Sequence, residues 1–114
     1  TPRRRSAPLA GFGRFTLDAR QVFYVSESGL TLALVNLKPL VDGHVLVVPR
    51  EPVATLAELD DARFDDLWRT TRRVHALIAD AHGADGANIA VQDGADAGQS
   101  VPHVHVHVLP RKSR

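Results

Sequence analysis

"HVHVHVLPR", residues 103–111, sets three histidines on alternate positions with only valine between them. In an extended chain successive side chains point to opposite faces, so His103, His105 and His107 share one face while Val104, Val106 and Val108 share the other. The valines read as core. The imidazoles then face a cleft or solvent, with roughly 6.5–7 Å between neighbours, twice the rise per residue. The segment therefore calls for a sheet whose apolar side is covered and whose polar side carries chemistry.

Outward from this strand, "NIAVQ" (Asn88–Gln92) predicts a neighbouring strand, joined to it by the glycine-bearing loop "DGADAGQSVP". Upstream, "QVFYV" (Gln21–Val25), "TLALVN" (Thr31–Asn36) and "HVLVVP" (His44–Pro49) are apolar, β-branched runs bounded by turn residues, the signature of strands. Ser26-Glu27-Ser28-Gly29 makes the first two a hairpin, and "LKPLVDGH" is a connection marked by Pro and Asp-Gly. From Asp60 to His82 the period changes to 3.6. Phe64, Leu67, Trp68, Thr71, Val74, Ile78 and Ala81 form one stripe, and arginines and aspartates fill the other faces. Asp60 or Asp61 suits the N-cap and Gly83 the left-handed C′ position. Trp68 belongs to the core stripe. Five strands with one main helix and short links predict an antiparallel α+β domain.

Composition bounds the rest. The 114 residues suit one domain, and 44% hydrophobic content suffices for a core. We read residues 1–14, "TPRRRSAPLAGFGR", as a flexible basic arm and residues 15–114 as the domain. With 14 Lys+Arg against 13 Asp+Glu the formal charge is +1, so no global field points to nucleic acid or membrane. Apolar runs such as Leu30–Val35 fall far short of the roughly 18 residues that span a bilayer, which predicts a soluble protein. The chain has no cysteine, which excludes disulfides and thiolate chemistry and suits a reducing compartment.

Three readings of the histidine strand compete. The rings could be plain surface residues. An H-x-H pair could hold Zn²⁺ at about 2.0–2.1 Å per ligand, with His44 completing the set. Or one imidazole is a nucleophile in phosphoryl transfer, since the ring is substantially neutral at pH 7 and its second nitrogen can be oriented by a backbone carbonyl. The surroundings favour the last: Gly94 and Gly98 loosen the loop so that its amides can approach an anion, and Gln92, Gln99 and Ser100 add neutral donors.

"VQDGADAGQSVPHVHVHVLPRK" resembles the signature of the histidine triad superfamily, and its Gln-Asp-Gly and Leu-Pro-Arg-Lys flanks look most like the fragile histidine triad branch. "ALVNLKPLVDGHVLVVP" is similar to the same family's Asn and His segment, so the likeness runs from Leu32 to Lys112. The resemblance implies a histidine-triad-like α+β fold: a five-stranded antiparallel sheet, one long helix and a short one, and a homodimer sharing one continuous sheet. It implies hydrolysis of dinucleoside polyphosphates, such as diadenosine triphosphate to AMP plus ADP, through a nucleotidyl-histidine. His105 would be the nucleophile, His107 would contact the phosphate, and His103 and His44 would support them. Asn36 would hold the ribose, Gln92 the phosphate chain, and Gly98, Gln99, Ser100 and Val101 would line the α-phosphate. Leu34 is either a wall of the base pocket or ordinary core. No resident metal or tightly bound cofactor is implied, only Mg²⁺ or Mn²⁺ arriving with the substrate. The expected partner is a small nucleotide, with no nucleic acid or membrane, in the cytoplasm or also the nucleus. His75 and His82 lie outside the motif, His75 as a surface residue and His82 as a cation at the helix C-terminus. A nucleoside phosphoramidase of the sister branch is the rival enzyme, although that branch carries glycines where this chain has Pro110-Arg111. A nucleotide-binding signalling module is the rival of another class.

Overall fold

The computed structural model describes residues 11–12, 15–16 and 21–113. Gly11–Phe12 (β1) pairs antiparallel with Phe15–Thr16 (β2), so the end of the expected arm folds into a small ladder. The rest of residues 1–14 lies outside the described residues.

The main sheet has five antiparallel strands: Val22–Val25 (β3), Thr31–Val35 (β4), Val45–Pro49 (β5), Gly86–Val91 (β6) and Val106–Arg111 (β7), in the order β3-β4-β5-β7-β6. The helix α1, Asp61–His82, crosses one face. Asp60 caps it by accepting from the Arg63 amide, and Gly83, left-handed at φ 62, ends it, as the sequence predicts. In place of a second short helix the described residues hold two three-residue 3₁₀ turns, Leu56–Glu58 and Ala95–Ala97.

Alternation along the strands builds two apolar layers. Ala33, Val45, Val47, Val104, Val106 and Val108 meet Leu67 and Val74 of the helix, with Trp68 and Ile78 at the margin. On the opposite face Leu32, Leu34, Leu46 and Val48 form a second cluster, joined by Val22. Leu34 is 2% exposed there, as expected of a core leucine. Leu46 pairs with Leu34 on one side and His107 on the other, so this second face carries His107.

The predicted histidine strand is shorter than its sequence pattern. Strand β7 covers only Val106–Arg111: its ladder with β5 begins at Val106, because Pro49 has no N–H with which to continue it, and β6 also ends its pairing there, at Val91. The Val104 amide instead donates to the Val53 carbonyl at 2.7 Å, so the chain joins the sheet only partway through the triad, with His103 and His105 ahead of the strand and His107 on it. No helix among the described residues is long and apolar enough to cross a membrane.

Candidate active site

Two strand ends and one loop supply the site. His44 enters at the start of β5, where the Asn36 amide donates to its carbonyl at 3.3 Å. His107 lies on β7 two strands from Asn36, and His105 precedes β7 on the same face.

The histidines do not simply face a cleft or solvent, as alternation alone suggests. His103 is fully buried, His44 is 2% exposed and His105 is 7% exposed. Burial of polar rings is tolerated because hydrogen bonds replace the lost water. The His103 ring donates from Nε2 to the Pro49 carbonyl at 2.8 Å. His105 donates from Nδ1 to the His103 carbonyl, also at 2.8 Å. A carbonyl can only accept, so the His105 proton sits on Nδ1 and Nε2 is its basic nitrogen.

A second chain of bonds fixes the other two rings. The Leu40 amide donates to Nδ1 of His44 at 3.1 Å, which places the His44 proton on Nε2. Nε2 of His44 then donates to Nδ1 of His107 at 3.0 Å. His107 accepts there and carries its own proton on Nε2. That nitrogen is buried and has no hydrogen-bond partner among the described residues. A donor left in this state is costly unless a ligand supplies its acceptor. The rings of His105 and His107 meet edge to face, with centroids 5.0 Å apart, so the basic nitrogen and the orphaned donor are carried by adjoining rings.

Electrostatics keep the second donor neutral. Burial, then the proximity of His105 and His44, lowers the pKa of His107 to about 4. Burial also pushes His44 down from 6.5. At neutral pH His107 therefore offers an N–H dipole and no full charge.

The other sequence-predicted residues divide into two groups. Asn36 stands beside the relay, its Nδ2 3.2 Å from Nε2 and 3.3 Å from Nδ1 of His44 and its Oδ1 accepting from the Lys38 amide at 3.0 Å. Gln92 reaches back over the loop. Gly98 has φ +91, and a Cβ there would come within 2.7 Å of Gln92 Nε2, so glycine is what lets the amide lie over the backbone. Gln99 is a brace. Its Oε1 accepts from the Gly94 amide at 2.7 Å, and its Nε2 donates to the Ala54 and Val101 carbonyls at 2.8 and 2.9 Å. Both donor hydrogens are taken, so its side chain fixes the loop and the expected free donor is absent. Ser100 is exposed beside it, and the half-buried Val101 carbonyl also accepts from the His103 amide at 2.8 Å.

A zinc site built on H-x-H plus His44 does not match this geometry. The facing nitrogens of His44 and His107 are bonded to each other, and no group of three or more His, Asp or Glu among the described residues converges on a point.

Sequence reasoning missed the backbone partners and one side chain. The Leu40 amide and the Pro49 carbonyl set two tautomers, and nothing in a residue's identity announces them. His82, read as a helix-end cation, packs its ring on Gly43: a Cβ there would come within 2.8 Å of His82 Cδ2 and 2.9 Å of Pro110 Cγ. The Asp42-Gly43 pair was legible as a turn, whereas its role as a seat for His82, one residue before His44, was not.

A model of the HIT domain matches residues 19–114. The bifunctional bis(5'-adenosyl)-triphosphatase/adenylylsulfatase of Arabidopsis thaliana is 46% identical over 101 residues, 89% of this chain and 55% of that protein. The asymmetrical bis(5'-nucleosyl)-tetraphosphatase of Schizosaccharomyces pombe is likewise 46% identical, over 89% of this chain and 54% of its own length. The chain thus spans about half the length of these curated relatives. Among solved structures, Caenorhabditis elegans NitFhit superposes with a TM-score of 0.88 at 43% identity, covering 94% of this chain and 26% of that one. Plasmodium falciparum diadenosine triphosphate hydrolase, in complex with cyclomarin A, gives 0.86 at 32% identity, covering 90% and 69%.

Proposed function

The chain belongs to the HIT domain family, and on that premise we propose that it hydrolyses dinucleoside polyphosphates, cleaving diadenosine triphosphate to AMP and ADP. The observation that carries the reading is the opposed polarity of two neighbouring rings: a basic Nε2 on His105 and an unpartnered N–H on His107. The names of the relatives, triphosphatases and tetraphosphatases of dinucleosides, support the substrate class.

Nε2 of His105 attacks the α-phosphorus. A P–N bond forms, the P–O bond to the β-phosphate breaks, and ADP leaves with the bonding electrons. The positive charge that develops on the imidazole is met by the His103 carbonyl at Nδ1. The His107 N–H donates to a non-bridging phosphate oxygen, which supplies the acceptor it lacks without placing a cation beside the nucleophile. Water then attacks phosphorus, loses its proton to solvent, breaks the P–N bond and releases AMP. Asn36 would hold ribose, Gln92 the phosphate chain, and the backbone of Gly98 to Val101 the α-phosphate, with Gln99 keeping that backbone in place. Divalent Mg²⁺ or Mn²⁺ would enter on the substrate, and no resident cofactor takes part. Strand β6 ends the sheet with Ile89 45% exposed, an edge suited to pairing with a second copy. The cysteine-free composition suits the cytoplasm or nucleus.

Incubation with diadenosine triphosphate and, separately, adenosine phosphoramidate tests the reading. AMP and ADP released from the first, dependent on His105, support it. Preference for the second substrate assigns the phosphoramidase reaction instead, and binding without turnover of either leaves a nucleotide-binding module.

A further inference from the structure

The described arginines fall into two sets. Arg50 donates to the Gly29 carbonyl at 2.7 Å, Arg63 pairs with Asp60 and Glu51, and Arg111 donates to Asn88. Arg69, Arg72 and Arg73 have no hydrogen bond or ion pair within 4.0 Å among the described residues, and all three line one cavity of about 500 Å³. Its other wall is β3 and the turn after it, including Tyr24 and Ser26. Tyr24 pairs with Ala33, whose side chain is in the layer under the helix, so the cavity opens on the face opposite His105 and His107. It shares no residue with the histidine site.

Two carboxylates also line the cavity, and one is already engaged. Asp66 accepts from Ser28 at 2.8 Å and from Thr31 at 2.5 Å, which ties its two oxygens to the hairpin, while its charge also acts on Arg69. Glu27 sits on the turn. Against these, three guanidiniums leave the cavity net positive. They occupy positions i, i+3 and i+4 of the helix, so they are neighbours on its surface. The Thr70 side chain comes from the same face. Guanidiniums without a direct salt bridge are the groups that recognise phosphate oxygens, and their spread along a helical turn suits linked phosphates better than a single one.

We propose that this cavity is a second anion site, taking a small molecule with two or three linked phosphates, separate from the histidine site. It does not depend on the hydrolase reading, because none of its residues is used there.

The test is a titration of the labelled full chain with inorganic triphosphate, followed by backbone amide shifts. It is run on the unaltered protein and on the triple variant Arg69→Gln, Arg72→Gln, Arg73→Gln. All three positions are solvent-exposed and glutamine is a good helix former, so the fold is retained; a thermal unfolding curve checks this. The expected result is saturable shifts at Tyr24, Ser26 and Thr70, with affinity at least about tenfold weaker in the triple variant. Any shifts at Ser100 and His105 should be unchanged by those substitutions. A parallel titration with ATP separates the sources: equal affinity assigns the site to free polyphosphate, tighter ATP to a nucleotide. Shifts confined to the segment from Ser100 to His107, or affinity at Tyr24 and Ser26 unmoved by the triple substitution, overturn the proposal.

Discussion

Acid should destabilise this protein through His107 in particular. Its pKa in the folded chain is about 4, against 6.5 for a free imidazole. Above 6.5 the ring is neutral folded or unfolded, and its full contribution is present. Between 6.5 and 4 the unfolded chain binds the proton and the folded chain does not, so stability falls as pH falls through that window. Below 4 both forms are protonated and the contribution is gone. A shift of this size is worth at most about 3 to 4 kcal/mol, and the partial exposure of the ring discounts it to about 2 kcal/mol. Protonation would also strike Nδ1, the atom that accepts from His44, and so would break the relay that orients the Nε2 donor. The assay is urea unfolding at pH 7.5, 6.5, 5.5 and 4.5 for the protein and for His107→Asn, which cannot titrate there. Lost packing in the variant is the same at every pH, and the lowered carboxylates of Asp60 and Asp66 are common to both proteins. The difference between the two stabilities should therefore shrink by about 2 kcal/mol from pH 7.5 to 4.5. Two parallel curves would refute the claim that burial among His44 and His105 keeps this ring neutral.

His105→Asn should lower turnover of diadenosine triphosphate by about 10³-fold or more while substrate still binds, read by product chromatography beside equilibrium binding. Gly43→Ala should cost about 2–4 kcal/mol, because the added Cβ meets His82 and Pro110 and the backbone stays at φ +84. Adding His82→Ala should recover part of that loss by removing the clash with the ring but neither the Pro110 contact nor the strain, and a double-mutant cycle in chemical denaturation measures it. Burial pushes Asp66 up, but hydrogen bonds from Thr31 and Ser28 outweigh this and hold the carboxyl below its usual range. Asp66→Ala should accordingly destabilise by about 2 kcal/mol at pH 7, with a smaller deficit below pH 4 where the carboxyl is protonated.

How much of this was legible in the sequence depends on which groups carry each feature. The strands, helix and caps were readable because their signals are local: β-branched runs between turn residues, a 3.6-residue stripe, Asp60 at one end of α1 and Gly83 at the other. The triad was readable because a plain surface strand has no physical reason to place histidine at three successive alternate positions with valine between them. What alternation could not convey is depth. It separates two faces of a strand, yet a face is wet or dry according to what lies over it, and His103, His105 and His44 proved to be interior. Nor could it convey that the strand stops short of His105, which turns on Pro49 in a neighbouring strand. Roles assigned to side-chain type were the most exposed to error. Gln99 is a hydrogen-bonding residue beside the site, but three backbone groups claim its amide, so it acts on the loop's shape. The tautomers that separate nucleophile from donor are set by Leu40 N–H and the His103 carbonyl, groups that every residue but proline or every residue possesses. Residue type thus marked the four histidines, while backbone groups and, for His107, the neighbouring His44 ring decide which nitrogen of each bears the proton, and only the folded chain's hydrogen bonds hold that information.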